Sequence, residues 1–270
     1  MQGFPSVFVS HGAPTFALEP GRAGAKLGAL GRALGKPRAV VIVSPHWMTG
    51  GVAVTSARQL RTVHDFGGFD PALYEIEYPA QGDPVLAERI VNELRNGGWQ
   101  ASLDLSRGLD HGAWVPLLHM FPRADVPVVQ VSMPRSLDPE SALRLGRALA
   151  PLGDDGVLVI GSGSLTHNLR EFRQGATSEA PYAREFSGWI RQAVKTGDAE
   201  RLVSALRIAP YAQRAHPTSE HFLPLLVAVG AARDLLPSTV LDGAIEHGVL
   251  SMDSFVFGRA MALETEGETA

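Results

Sequence analysis

Four short apolar runs punctuate the chain, at residues 7–9, 39–43, 126–131 and 157–160, and each is dominated by Val and Ile with almost no polar interruption. A strand with one wet face alternates apolar and polar positions. A nearly unbroken run instead predicts a strand buried on both faces, as in a parallel sheet. Stretches with helical spacing accompany them at residues 21–34, 84–94, 139–149 and 182–194. In the second, Leu86, Ile90, Val91 and Leu94 share one face. Strands alternating with helices predict an α/β fold, a single three-layer α/β/α domain around a mostly parallel central sheet. Residues 249–257 alternate and predict one more strand. Residues 58–84 fit neither period and are rich in Gly, Pro and aromatics; so long a loop in a compact domain is usually functional.

Composition narrows the chemistry. The chain has no Cys, which removes disulfides, thiolate metal sites and a Cys nucleophile together and leaves any metal to His, Asp or Glu. A net charge of −4 argues against a general affinity for nucleic acid or anionic membrane. No apolar run approaches the roughly 20 residues of a membrane span, and Met1-Gln2-Gly3-Phe4-Pro5 lacks the basic start and apolar region of a signal peptide. The expected location is cytoplasmic. The pattern leaves a homo-oligomer open.

The histidines fall at telling places. His11 comes two residues after the first apolar run, His46 three after the second, and His167 follows the fourth through a Gly/Ser turn. In a parallel sheet the carboxyl ends of the strands face one edge, where ligands bind. His221 lies near the start of an expected helix that Thr218 or Ser219 would cap. Neutral imidazoles without thiolates suit Zn, Fe(II), Mn or Cu. His111 precedes another expected helix, and His64 sits in the long loop as a candidate for a backbone hydrogen bond. His119 is expected to be packed or on the surface. His216 and His247 have no supporting pattern.

Other signatures are missing. Thr166 stands where a dinucleotide fingerprint beginning Gly161-Ser162-Gly163 would need its third glycine, and there is no Walker A sequence, no G-x-S-x-G elbow and no His-Glu-x-x-His.

Six segments, in order and spread over most of the chain, resemble one family. They are Val9-Ser10-His11-Gly12-Ala13-Pro14, Val43-Ser44-Pro45-His46-Trp47, His64-Asp65-Phe66-Gly67-Gly68-Phe69, Leu109-Asp110-His111-Gly112-Ala113-Trp114, Gly161-Ser162-Gly163 with Thr166-His167-Asn168-Leu169, and Pro217-Thr218-Ser219-Glu220-His221-Phe222. The chain is similar to the class III, LigB-type extradiol ring-cleavage dioxygenases of the DOPA 4,5-dioxygenase kind. The resemblance implies a catalytic domain over residues 1–262; the tail at 263–270, rich in Glu, Thr and Gly, is expected from its composition to be disordered. It implies a divalent metal on His11, His46 and His221, with Glu220 a reserve ligand, and His167 as the acid/base group. His111 would be a second pocket histidine that stabilises bound oxygen or the anionic intermediate. The implied partners are a small-molecule catechol and O2, and the implied cofactor is non-haem Fe(II). Zn(II) would fit the same ligands and would favour a rival reading as a hydrolase; a non-catalytic metal- or aromatic-binding protein is the third reading. Arg58, Arg61 and Arg170 are candidates for pairing with a substrate carboxylate, and the loop at 58–84 for covering the pocket.

Overall fold

The computed structural model describes residues 3–263. The strands are β1 (Ser6–Ser10), β2 (Ala39–Thr49), β3 (Val52–Thr55), β4 (Ala101–Asp104), β5 (Val128–Pro134), β6 (Val157–Gly163), β7 (Ser238–Leu241), β8 (Ile245–Glu246), β9 (Leu250–Ser251) and β10 (Ser254–Phe257). The helices are α1 (Gly21–Leu34), α2 (Pro84–Asn96), α3 (His111–Met120), α4 (Pro139–Leu149), α5 (Pro181–Thr196), the short α6 (Ala199–Val203), α7 (Ala205–Ile208) and α8 (Ala212–Ala215), and α9 (Leu223–Ala231).

One eight-stranded sheet runs β4-β3-β5-β2-β6-β1-β10-β7. Its central strands β5, β2, β6 and β1 are parallel; β10 and β7 add an antiparallel edge. The unbroken apolar runs follow from helices covering both faces. Phe8, Val41, Val43 and Val159 point into one core with α2, α4, α5 and α9. Their neighbours Val7, Val9, Ile42 and Ile160 point into the other with α1 and α3. Because side chains alternate along a strand, each run feeds both cores and can spare no polar position.

Three local expectations need correction. The second strand does not stop at the apolar run but continues through His46 to Thr49, and its register on β5 slips between Val43 and Met48. Such an irregularity tolerates Pro45 and re-aims the side chains beside it. The alternating run at 249–257 forms two strands, because Asp253 between them is buried against Arg191, with Oδ2 2.6 Å from Nε and Oδ1 2.8 Å from Nη2. The helix after His221 starts at Leu223 without a side-chain cap. Thr218 donates instead to Glu220 Oε1 at 2.8 Å, and Ser219 accepts the N–H groups of Phe222 and Leu223 with its backbone carbonyl. The expected tail at 263–270 lies outside the described residues except for Leu263, which packs partly buried against the second core. No helix among the described residues is long and apolar enough to cross a membrane.

Glu246 in β8 has an unusual carboxyl: burial, and then the charge of Glu19, push it from 4.5 up to about 7. Between those values the folded chain holds a proton that the unfolded chain has released, so stability falls as pH rises through that window. Above it the fold carries a partly buried charge. Glu246→Gln is expected to leave the Tm near wild type at pH 4.5 and to raise it by about 2–4 °C at pH 8. That range corresponds to only about 1 kcal/mol, since solvent screens a group this open. Thermal unfolding at the two pH values checks it, and an equal shift at both would show that the fold does not hold this acid neutral.

Candidate metal centre

The parallel pairing of β1 with β6 and of β6 with β2 brings their carboxyl ends to one edge. His11 follows the last residue of β1, and its N–H donates to the Gly163 carbonyl at the end of β6. His221 arrives from the segment before α9, where its carbonyl accepts the Ser164 N–H at 2.9 Å. A Cβ on Gly163 would strike that same carbonyl, so glycine there permits the approach. Gly112 does the same from α3: a Cβ would come within 3.0 Å of His46 Cδ2 and 3.2 Å of His11 Cε1.

The result is a convergence of three Nε2 atoms. His46 Nε2 is 3.2 Å from His11 Nε2 and 3.4 Å from His221 Nε2, and the three donor atoms all lie within 4.8 Å of one another. Each ring is held from behind through Nδ1. Ser162 Oγ donates its proton to the Gly112 carbonyl and so accepts from His11 Nδ1, 3.1 Å away. His46 Nδ1 stands 3.4 Å from Asp65 Oδ2, and His221 Nδ1 is 3.2 Å from Glu220 Oε1. With the ring protons on Nδ1, all three Nε2 atoms present lone pairs to one another. Burial, and then the neighbouring imidazoles, hold His11 and His221 far below the ordinary histidine value and lower His46 to about 3. No proton therefore separates these lone pairs at neutral pH, and such an arrangement repels itself until a cation sits among them. Two donors about 2.0–2.1 Å from one ion, at right to tetrahedral angles, are about 2.8–3.4 Å apart, so the residues fit a divalent metal.

Two further imidazoles flank the cluster. The His111 ring lies 4.0 Å from that of His46. Its Nδ1 and its backbone N–H both donate to Asp65 Oδ1, at 3.0 and 2.9 Å. Asp65 thereby serves the first turn of α3, which its own N-cap, Asp110, does not, since that carboxylate is committed to Ser44, Gln130 and Arg107. Burial pushes the Asp65 carboxyl up, but its bonds to His111 outweigh this and hold it at about 2, ionised. His167 stacks on His221 at 3.5 Å with the planes 10° apart. Burial lowers it to about 4 against the opposing pull of Glu220. Among the described residues its ring nitrogens have no hydrogen-bond partner, while its backbone N–H is fastened to the Ala215 carbonyl at 2.8 Å.

All five histidines line a cavity of about 310 Å³, walled also by Phe66 and Phe69 from the 58–84 loop and by Leu169, Phe172 and Leu250. This is at the small end for ligand pockets and suits one substituted ring. Arg58, Arg61 and Arg170 are exposed and do not line it. Glu220 meets His221 Nδ1 from behind and, with His167 and His221, forms a second group whose possible ligand atoms lie within 4.8 Å of one another. His64 fastens the loop through the Ile76 carbonyl at 3.0 Å, and His119 and His216 bond the carbonyls of Phe16 and Leu165. His247 Nδ1 accepts the Gly175 N–H. The sequence reading missed Asp65 and Ser162 as supports, although both lie inside the matched segments.

A match to the family described as the catalytic LigB subunit of aromatic ring-opening dioxygenase runs over residues 20–248. The chain is 39% identical to a 4,5-DOPA dioxygenase extradiol of Beta vulgaris over 254 residues, 93% of this chain and 95% of that one. It is 39% identical to the protein of the same name from Escherichia coli K12 over 259 residues, 94% of each. A crystal structure of an uncharacterized protein from Escherichia coli K12 superposes with a TM-score of 0.77 at 34% identity, covering 94% of this chain and 100% of the other.

Proposed function

The chain belongs to the family of the catalytic LigB subunit of aromatic ring-opening dioxygenases, and on that footing we propose that residues 1–262 form an extradiol dioxygenase, an oxidoreductase that opens the ring of a catechol with O2. The observation that carries the reading is the meeting of three lone pairs, on His11, His46 and His221, at the floor of a cavity the size of one substituted ring. These three would hold the metal, Fe(II) in the active enzyme. Fe(II) supplies a Lewis acid for the two catechol oxygens and one-electron chemistry toward O2, whereas Zn(II) supplies only the first.

The protein's own groups do the rest. His167 is neutral at pH 7 because burial lowers it to about 4, so it begins as a base and takes a catechol proton. The Glu220 charge then steadies the imidazolium until it returns the proton. His111, its ring fixed through Nδ1 by Asp65, lines the same cavity beside His46, where it is placed to stabilise bound oxygen or the anionic intermediate. Phe66 and Phe69 exclude water from the ring.

Apoprotein loaded anaerobically with Fe(II), then given a catechol and O2, is expected to consume O2 and form a yellow ring-opened product, while Zn(II)-loaded protein forms none. No product with Fe(II), together with ester or amide hydrolysis by the Zn(II) form, would transfer the site to the hydrolases.

A further inference from the structure

Residues 44–47 of β2 pair with neither neighbouring strand. The register on β6 ends at Val43, and the register on β5 breaks off there and resumes at Met48. His46 sits in that gap, so the sheet offers its main-chain N–H and C=O no partner. Two polar side chains supply both. Ser44 Oγ accepts the His46 N–H at 3.3 Å and donates to Asp110 Oδ1 at 2.8 Å. Arg107 Nη2 donates to the His46 carbonyl at 3.1 Å and to Asp110 Oδ2 at 3.2 Å. Asp110 is fully buried, and Gln130 steadies it by donating to Oδ2 and accepting the Asp110 N–H. Neither Ser44 nor Arg107 lines the cavity. We propose that Arg107 and Ser44, both tied to Asp110, are positioning residues that aim the ligand His46. This rests on the three-histidine metal centre described above.

A ligand must be held to within about 0.5 Å and 10–20° of its working pose. The contact of His46 Nδ1 with Asp65, at 3.4 Å, sets the turn of the ring but not the place from which the ring starts. That place is set by the main chain, and a strand segment outside the ladder is free to pivot unless side chains hold it. The setting of Arg107 fits this task. Its Nε is buried and has no partner among the described residues, a local cost that a side chain turned out to water would not bear. Its own main chain is pinned, with the N–H donating to Asp104 Oδ1 at 2.9 Å. Its guanidinium lies 5.6 Å from the ring centre of Trp47, the residue after the ligand. Were Arg107 present only to neutralise Asp110, it would have no need to reach the His46 carbonyl as well.

The test is a titration of the full chain, stripped of metal, with Zn(II) against a competing chelator, together with the imidazole NMR signals of the metal-free protein. Arg107→Met keeps an unbranched side chain but none of the donors, and is expected to weaken Zn(II) binding by about 10–100-fold. Its NMR signals are expected to move most at His46 and little at His11 and His221. Because both bonds leave from the single nitrogen Nη2, a Lys ammonium can make them, so Arg107→Lys is expected to recover most of the affinity. Wild-type affinity in Arg107→Met overturns the proposal. So does a loss that Arg107→Lys shares in full, or one in which all three histidines move alike, since a general loosening of the fold would produce either. If Arg107→Met does not fold, Ser44→Ala takes its place, with about a tenfold loss expected and the same two readings deciding. Fe(II)-loaded wild type that consumes no O2 with any catechol fails the ring-cleavage reading and leaves this proposal to the Zn(II) titration. Wild type that binds no Zn(II) fails the metal centre, and this proposal with it.

Discussion

Replacing His46 by Ala is expected to yield a folded protein that has lost its metal and, with it, all measurable ring cleavage. His46 supplies the central nitrogen of the cluster, 3.2 Å from one partner and 3.4 Å from the other, so its loss leaves two donors with a gap between them. Even substitutions behind a ligand commonly weaken metal binding by about 10–100-fold; removing a ligand outright costs more than that. The fold should bear the change. The side chain is 22% exposed, lies beyond Val43 at the carboxyl end of the strand and belongs to neither apolar core. Elemental analysis after dialysis, with the unfolding curve of the metal-free protein as control, separates the outcomes. Metal retained at one ion per chain with wild-type affinity would remove His46 from the ligand set. Metal lost along with the native unfolding transition would show that the residue holds the sheet edge together.

The layout of the core and the three-histidine centre could be anticipated because each rests on a local pattern. Unbroken runs such as 39–43 can exist only where both faces are covered, so they announce the parallel centre of the sheet, and a parallel sheet puts the ends of its strands together. What stayed hidden depends on partners far apart in the chain. The edge strands β4 and β7 are four residues each and bury one side chain apiece, β3 beside β4 is as short, and α6 to α8 are too short to display a period. The helices α3 and α9 are apolar all round, so only their starting motifs mark them. Asp65 reads as a loop residue until the fold lays it across the first turn of α3, 46 positions away, and against His46. The apolar wall is assembled from three chain segments and has no linear signature, which is why exposed arginines looked like candidates for a substrate carboxylate. Ser162 could have been found, since a hydroxyl inside a fully buried strand must have a partner.

His167→Ala is expected to do the opposite of His46→Ala: the metal stays and the chemistry goes. His167 stacks on His221 but contributes no atom to the three-nitrogen cluster, so the ion keeps its ligands. The variant lacks the acceptor for the catechol proton and the donor that returns it. Losing a positioned acid/base group commonly costs about 10²–10⁴-fold, so turnover should fall by at least a hundredfold while the protein retains one ion per chain. Because the loss falls on a proton transfer rather than on the apolar wall that grips the ring, kcat should drop far more than KM changes. The stacked ring also shields one face of His221, and a purely packing role would appear as weaker metal binding with normal turnover per bound ion. Turnover per bound ion is therefore the deciding quantity. A wild-type value in the variant means that the proton leaves by another route, for which His111, already oriented by Asp65, is the group within reach of the same cavity.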